Sequence, residues 1–382
     1  MPKTPTAGKK VAPKAHRTRV VFGLNTVDQV GALAREIGIK KVLLVTDPGI
    51  TEAGHTERVK KSLKAAKIST VIYGLCRENP TTRDVDACLK VARGSGIDGF
   101  VGLGGGSSLD TAKGCNFLLT NGGRMQDYWG IGKATKAMLP LIAIPTTSGT
   151  GSECQSFALI ADENTHIKMA CGDPKAAARV AILDPVLTIS QPFRVTACAG
   201  IDALAHALET AVTTKRNPVS LTYSYEAFNL CATHLPRALT HPNDLAARSG
   251  MLLGAALAGM AIENSMLGAA HAAANPLTAH YGIIHGQSVG MMLPHVVRFN
   301  AGDAEAMKLY GKLNLGSGKS KVKIEGLIQR LESILKLAKM PKSLSDCGVK
   351  KSAIPMLASE AAKQWTAGFN PRTVTEGDFV RL

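Results

Sequence analysis

Aromatic residues make up only 4% of this 382-residue chain, and no two cysteines stand at CxxC spacing. The first scarcity removes the interleaved basic and aromatic surface that stacks on single-stranded nucleic acid. The second removes a zinc ribbon. The eight cysteines, scattered at 76, 88, 115, 154, 171, 198, 231 and 347, suit a reducing cytosol better than a disulfide framework. No uninterrupted apolar run approaches the roughly 20 residues of a membrane span, and the Lys-rich start lacks the apolar stretch of a secretory signal. A cytoplasmic protein with no membrane partner is expected. Acidic residues are also few, 29 against 45 Lys and Arg, giving a net charge of +16, and none precedes Asp28. Residues 1–18 are expected to form a basic, mobile tail whose charge is solvated. No specific nucleic-acid partner is expected; the remaining positive charge can steer an anionic cofactor or substrate.

What is present reads as two folded parts. Hydrophobic residues at 45% and charged residues at 19% are those of an ordinary globular protein, and the length allows two cores. Apolar strand-like runs at 20–23, 41–47, 70–73 and 99–103 alternate with helix-like stretches at 27–38, 51–66 and 81–96. That alternation predicts a parallel sheet with helical crossovers, an α/β dinucleotide-binding domain over 19–190. Beyond Asp184-Pro185 and Gln191-Pro192 the strand pattern gives way to Ala- and Leu-rich helical segments near 195–213, 218–236, 242–273, 303–313 and 322–337. An all-α domain over 191–382 is expected.

Two loops in the first part look built for a phosphate or ribose. Gly104-Gly105-Gly106-Ser107-Ser108 follows an apolar strand and opens a helix, where backbone N–H groups can approach an anion closely. It is neither a P-loop nor a full G-x-G-x-x-G, since Ser107 takes the last glycine's place. Pro145-Thr146-Thr147-Ser148-Gly149-Thr150-Gly151-Ser152-Glu153 also follows an apolar strand and is rich in hydroxyls. A pair of such loops favours a dinucleotide. Asp47, just past an early strand, is placed to accept from a ribose 2′-hydroxyl, which favours NAD while leaving NADP open; Asp47-Pro48-Gly49 is also a good turn in its own right.

In the second part, Asp202 and His206 are four residues apart in a helical run and so share one face. A carboxylate and an imidazole one turn apart can hold two corners of a divalent ion's shell, and His271 and His285 can close it. Any one of these histidines, taken alone, reads more readily as a satisfied core or surface residue.

Taken together, the Gly104–Lys113 loop, Pro145–Glu153, Asp202-x-x-x-His206, His271 and His285-Gly286 occur in the order of the iron-containing (group III) alcohol dehydrogenases. Leu293-Pro294-His295-Val296 with Phe299-Asn300, and Asn370-Pro371-Arg372, also resemble that family, from about Val20 to the last residue. The resemblance implies a metal held by Asp202, His206, His271 and His285, with Fe²⁺ preferred and Zn²⁺ open. It also implies NAD(P) contacts from Asp47, Asn79, the backbone from Gly105 through Gly106 and Ser107 to Asp110, Thr146, Thr147, Thr150 and Lys168. A homodimer is expected on the same ground. One position departs: where members commonly carry a second histidine in a His-Pro pair, this chain has Asn275-Pro276. Asn275 is expected near the substrate, and no side-chain base is assigned.

The chemistry expected is hydride transfer between a small alcohol or aldehyde and NAD(H), with the metal as Lewis acid. A lyase resembling dehydroquinate synthase would need a cluster of Lys, Arg and Asn for a phosphate and a carboxylate, and the segments at 153–160 and 262–275 are small and apolar instead. A non-catalytic binding protein of the same fold is the third reading; retention of all four candidate ligands argues against it. Phe157, Ile262 and Trp365 are candidates for the pocket wall, or plain core.

Overall fold

A computed structural model describes residues 18–165, 167–313 and 320–382. All of the tail expected over 1–18 except Thr18 lies outside these residues.

The first half alternates strands and helices: β1 (Arg19–Phe22), α1 (Val30–Glu36), β2 (Lys41–Val45), α2 (Pro48–Glu52), α3 (His55–Ala65), β3 (Ser69–Tyr73), α4 (Thr82–Ala92), β4 (Gly99–Gly104) and α5 (Gly106–Asn121). After α5 come β5 (Gly130–Ile131), β6 (Leu141–Pro145), β7 (Phe157–Ala161), β8 (Lys168–Gly172) and β9 (Val180–Leu183). Six strands form one parallel sheet in the order β1-β9-β6-β4-β2-β3. Its central strands β4 and β6 are buried at every residue, because helices cover both faces and leave no polar side to alternate with. From β2 the chain adds β3 on one side and then β4 on the other, so the order reverses between β2 and β4. The helices that follow those two strands diverge there, opening a crevice at their carboxyl ends.

Two details differ from the sequence reading. The helix expected over 51–66 is interrupted at Gly54, whose φ of +82° suits glycine. A second sheet, β5-β8-β7 with β7 and β8 antiparallel, was not expected.

Beyond Asp184 the described chain is helical: α6 (Phe193–Val212), α7 (Pro218–Thr240), α8 (Leu245–Asn264), α9 (Ala269–Tyr281), α10 (His285–Asn300), α11 (Ala304–Leu313), α12 (Ser320–Leu337), α13 (Ile354–Lys363) and α14 (Glu376–Arg381). The single helix expected over 242–273 is two, parted at 265–268. By length and composition α6 and α8 are apolar enough to cross a membrane, yet 89% and 67% of their most apolar windows are buried inside the protein. They are the core about which the other helices pack.

The two halves meet through glycine. A Cβ on Gly259 of α8 would stand 2.3 Å from the Gly151 carbonyl oxygen, and one on Gly149 would stand 2.7 Å from the Ala199 Cβ of α6. Larger side chains at either point would hold the loop after β6 away from the helices.

Candidate metal centre and dinucleotide crevice

Asp202, His206 and Glu209 lie on one face of α6, spaced four and then three residues apart, and all three are at least 95% buried. A helix buried on nearly every side can keep polar groups only where they find partners. Here the partners arrive from α9 and α10. His271 is the third residue of α9, and His285 is the first of α10.

Three contacts bring those helix starts to α6. Glu209 accepts from the Ala270 backbone N–H at 2.6 Å, while the Asn370 Oδ1 accepts from that of Ala269 at 3.3 Å, so two distant side chains cap α9. Asn370 is held in turn by a reciprocal amide pair with Asn300 at the end of α10. Gly286 completes the approach: a Cβ there would stand 2.2 Å from the Cys198 carbonyl oxygen of α6. The Phe299-Asn300 and Asn370-Pro371-Arg372 motifs are thus scaffolding, with Arg372 also stacked 4.0 Å above the Phe299 ring.

The result is a convergent donor set. Nε2 of His206, His271 and His285 lies 3.4, 3.3 and 3.8 Å from the same Oδ1 of Asp202. The ligating atoms of Asp202, His271 and His285 all lie within 4.8 Å of one another, and the His206 and His271 rings stack at 4.8 Å. Donors about 2.1 Å from one ion in a tetrahedron stand about 3.4 Å apart. Asp202, His271 and His285 therefore fit a divalent cation in spacing and in chemistry, and His206 brings a further imidazole beside the same carboxylate oxygen. Burial, together with Lys168, presses His285 down to about 3, and burial also presses His206 down to about 4. Both imidazoles are neutral at neutral pH, the form a metal ligand requires. Burial acts on His271 in the same sense, but the Glu209 and Asp202 carboxylates win and lift it to about 9. For Asp202, burial is outweighed by the three imidazoles, which hold its carboxyl well below the usual range.

Glu209 received no role in the sequence reading. Its Oε2 lies 2.5 Å from His271 Nδ1, an arrangement that turns Nε2 towards Asp202. The signal was visible only as a third polar residue on the Asp202–His206 face.

The dinucleotide residues gather at the carboxyl edge of the sheet. Asp47, two residues beyond β2, caps α2 through Ile50 N–H at 3.0 Å and accepts from Ser108 Oγ at 3.2 Å across the crevice. Gly105 and Gly106 open α5 with no acid in its first turn, leaving the positive end of the helix unneutralised. A Cβ on Gly106 would stand 2.7 Å from Thr150, and one on Gly105 would stand 3.3 Å from Thr147, so the two loops interlock. The buried Thr146 and Ser148 hydroxyls have no hydrogen-bond partner among the described residues. Asn79, in the left-handed region at φ +52°, sits exposed on the connection from β3 to α4.

Asp110 faces inward. Its carboxylate accepts from Ser152 Oγ at 2.6 Å and from Leu159 N–H at 3.2 Å, beside the fully buried Lys113. Lys113 donates to the Ser152 and Phe157 carbonyls, so this pair fixes the second loop from below. Lys168, on β8, has its ammonium disfavoured by burial and supported by Asp110 and Asp202.

Asn275, one turn beyond His271, donates to Gln364 Oε1 at 3.0 Å. Phe157 and Trp365 meet with ring centroids 6.3 Å apart. Ile262 is 6% exposed, which agrees with core packing.

Comparison with known proteins agrees with this arrangement. The family model "Iron-containing alcohol dehydrogenase" matches residues 17–185, and "Fe-containing alcohol dehydrogenase family, C-terminal" matches 196–382. The chain is 36% identical to "Alcohol dehydrogenase 4" of Schizosaccharomyces pombe, covering 92% of this chain and 83% of that protein. It is 34% identical to "NAD-dependent methanol dehydrogenase" of Bacillus methanolicus, covering 95% and 96%. A solved 1,3-propanediol oxidoreductase superposes with a TM-score of 0.91 at 32% identity, covering 95% of this chain and 96% of that one. With both halves matched, and with the donors those halves bring together, the chain belongs to the iron-containing alcohol dehydrogenase family.

Proposed function

We propose that this protein is a metal-dependent alcohol dehydrogenase that moves hydride between a small alcohol or aldehyde and NAD(H). The observation that carries the reading is the placing of three imidazole Nε2 atoms within 3.8 Å of one buried carboxylate oxygen, beside a glycine- and hydroxyl-lined crevice.

When bound, a divalent ion supplies Lewis acidity that lowers the pKa of an alcohol, and the dinucleotide supplies the hydride acceptor. The protein's part is to hold and orient. Asp202, His206, His271 and His285 would hold the ion, with Glu209 fixing the His271 ring. The backbone from Gly105 and Gly106 to Ser107, at the start of α5, would receive the pyrophosphate. Thr146, Thr147 and Thr150 would supply hydroxyls beside it, and Lys168 is kept as a cofactor contact on the resemblance. Asp110 acts from beneath by holding the 146–152 loop. Asp47 favours NAD, because the 2′-phosphate of NADP would meet its carboxylate. Asn79 is kept as a cofactor contact on the resemblance and on its place at the sheet's edge. Asn275 is assigned to the substrate.

Fe²⁺ is preferred to Zn²⁺ on family membership, since imidazole and carboxylate suit both. The division into a dinucleotide-binding part over 19–190 and a metal-binding part over 191–382 follows the last strand at Leu183 and the first long helix at Phe193. Eight free cysteines support a cytoplasmic location. The open edge strand β1, with Phe22 43% exposed, supports a homodimer.

The decisive experiment incubates the purified, Fe²⁺-loaded protein with NAD⁺ and a series of short primary alcohols. NADH should appear, disappear on chelation, and return when Fe²⁺ or Zn²⁺ is restored. Unchanged turnover after complete metal removal, or turnover of alcohol without NADH, would overturn the proposal.

A further inference from the structure

Residues 149–157 belong by sequence to the sheet half, yet they are anchored on both halves. Gly149 is packed so closely on α6 that a Cβ there would stand 2.7 Å from the Ala199 Cβ and 2.9 Å from the Ala199 carbonyl oxygen. Ala199 lies three residues, about one turn, before the metal donor Asp202. Gly151 meets Gly259 of α8 backbone to backbone. Ser156 is tied to Glu263 of the same helix, its N–H donating at 2.9 Å and its hydroxyl at 2.8 Å. The remaining anchor is α5, whose buried Lys113 donates to Ser152 and to the Phe157 carbonyl. A segment packed this closely against three helices cannot shift on one without straining its contacts with the others.

The same segment bears on both sites. Thr147 and Thr150 interlock with Gly105 and Gly106 at the start of α5, and the buried Thr146 and Ser148 hydroxyls lack a partner among the described residues. On the α6 side, His206 Nδ1 is also buried and makes no well-formed hydrogen bond among the described residues. The backbone group that bears on its ring is that of Gly149. When Nε2 ligates a cation, the ring's one proton stays on Nδ1, and the Gly149 carbonyl is the acceptor beside it. Whichever ligand arrives first fixes the loop, and the second meets it already ordered.

We propose that Gly149, Ser156 and Glu263 are positioning residues that couple the two sites, so that an ion held by Asp202 and His206 tightens dinucleotide binding and the dinucleotide tightens the ion. The inference rests on the proposed reading of the two sites and goes beyond it by joining them. Such coupling is reciprocal: the factor by which one ligand strengthens the other is the same in both directions.

The test uses Zn²⁺ and ADP-ribose as probes on the full chain. ADP-ribose carries the pyrophosphate but no nicotinamide ring, so no contact of that ring with the ion enters the result. Calorimetric titration gives ADP-ribose affinity with and without Zn²⁺, and competition with a chelator gives Zn²⁺ affinity with and without ADP-ribose. Each ligand should strengthen the other by at least about fivefold, with equal factors. Gly149→Ala, which sets a Cβ against Ala199, and Ser156→Ala, which removes the hydroxyl from Glu263, should each bring the factor towards one while Zn²⁺ still binds. Thermal midpoints report folding, and Ser156→Ala keeps the test available if Gly149→Ala does not fold. A factor of one in the wild type, or the wild-type factor kept in either folded variant, would overturn the coupling while leaving the dehydrogenase reading intact. A wild type that binds neither probe would overturn both.

Discussion

Glu209 shows how much a single buried residue can do without touching substrate or cofactor. One carboxylate oxygen orients His271, and the other caps the helix that carries it. Replacing it by glutamine keeps the size but removes the charge that favours Nδ1–H on His271. Glu209→Gln should therefore lower metal affinity by about 10- to 100-fold. Metal content measured against a competing chelator checks this, and an affinity equal to wild type would contradict the role. Asp202 and His206 were legible in the sequence because four-residue spacing on a helix is a local property. Glu209 continues the same face, yet its importance depends on α9 arriving from 61 residues away. Asp110 teaches the converse. It stands in a phosphate-binding motif, but its carboxylate is bonded to the chain at Ser152 and Leu159, which no motif reveals.

At the scale of elements, the break between α8 and α9 matters most to the site. Residues 242–273 are rich in Ala, Leu and Met and contain one proline, at the very start, so periodicity alone runs through them. The interruption at 265–268 is stabilised from outside, by Glu209 and Asn370 taking the first N–H groups of α9. It places His271 at a helix start rather than deep in a helix. The small sheet is hidden in the sequence for a similar reason: β5 has only two residues, and its partner β8 lies far along the chain, although β7 and β8 themselves pair as a hairpin. Element-scale capping also gives a pH dependence. Asp378 accepts from the Thr375 hydroxyl and backbone N–H at the start of α14 and from Arg381, which together hold its carboxyl down at about 2. Its folded pKa lies below the unfolded value near 3.8, so the stabilisation is present above that value and is lost as pH falls through about 2. Amide exchange in α14 should accelerate over this window, and Asp378→Asn should show fast exchange already at neutral pH. Exchange that stays slow in the variant would contradict the assignment.

For the whole molecule, the four candidate donors join α6 to the consecutive helices α9 and α10, which two further helices separate from it in the chain. An ion held by them binds the folded state and not the unfolded chain, and so stabilises by mass action. At a hundredfold excess over its dissociation constant the gain is about 2.7 kcal/mol. Chelation should lower the thermal midpoint by several degrees, and added Fe²⁺ or Zn²⁺ should restore it; scanning calorimetry of the full chain decides the matter. A midpoint indifferent to metal would argue against a site shared by three helices.

By itself the sequence determined the parallel α/β half and the helical half, the two glycine-bearing turns, and the Asp202–His206 pair. Each is set by patterns within a few residues, namely hydrophobic period, strand-end glycine and one-turn spacing. Tertiary structure alone decided the strand order that opens the crevice between β2 and β4, and the close glycine contacts that seat one half on the other. It also decided the capping of α9 by Glu209 and Asn370, and the meeting of Asn275 with Gln364. These depend on surfaces distant in the chain that come together only when the two cores pack, and no local preference encodes such a meeting.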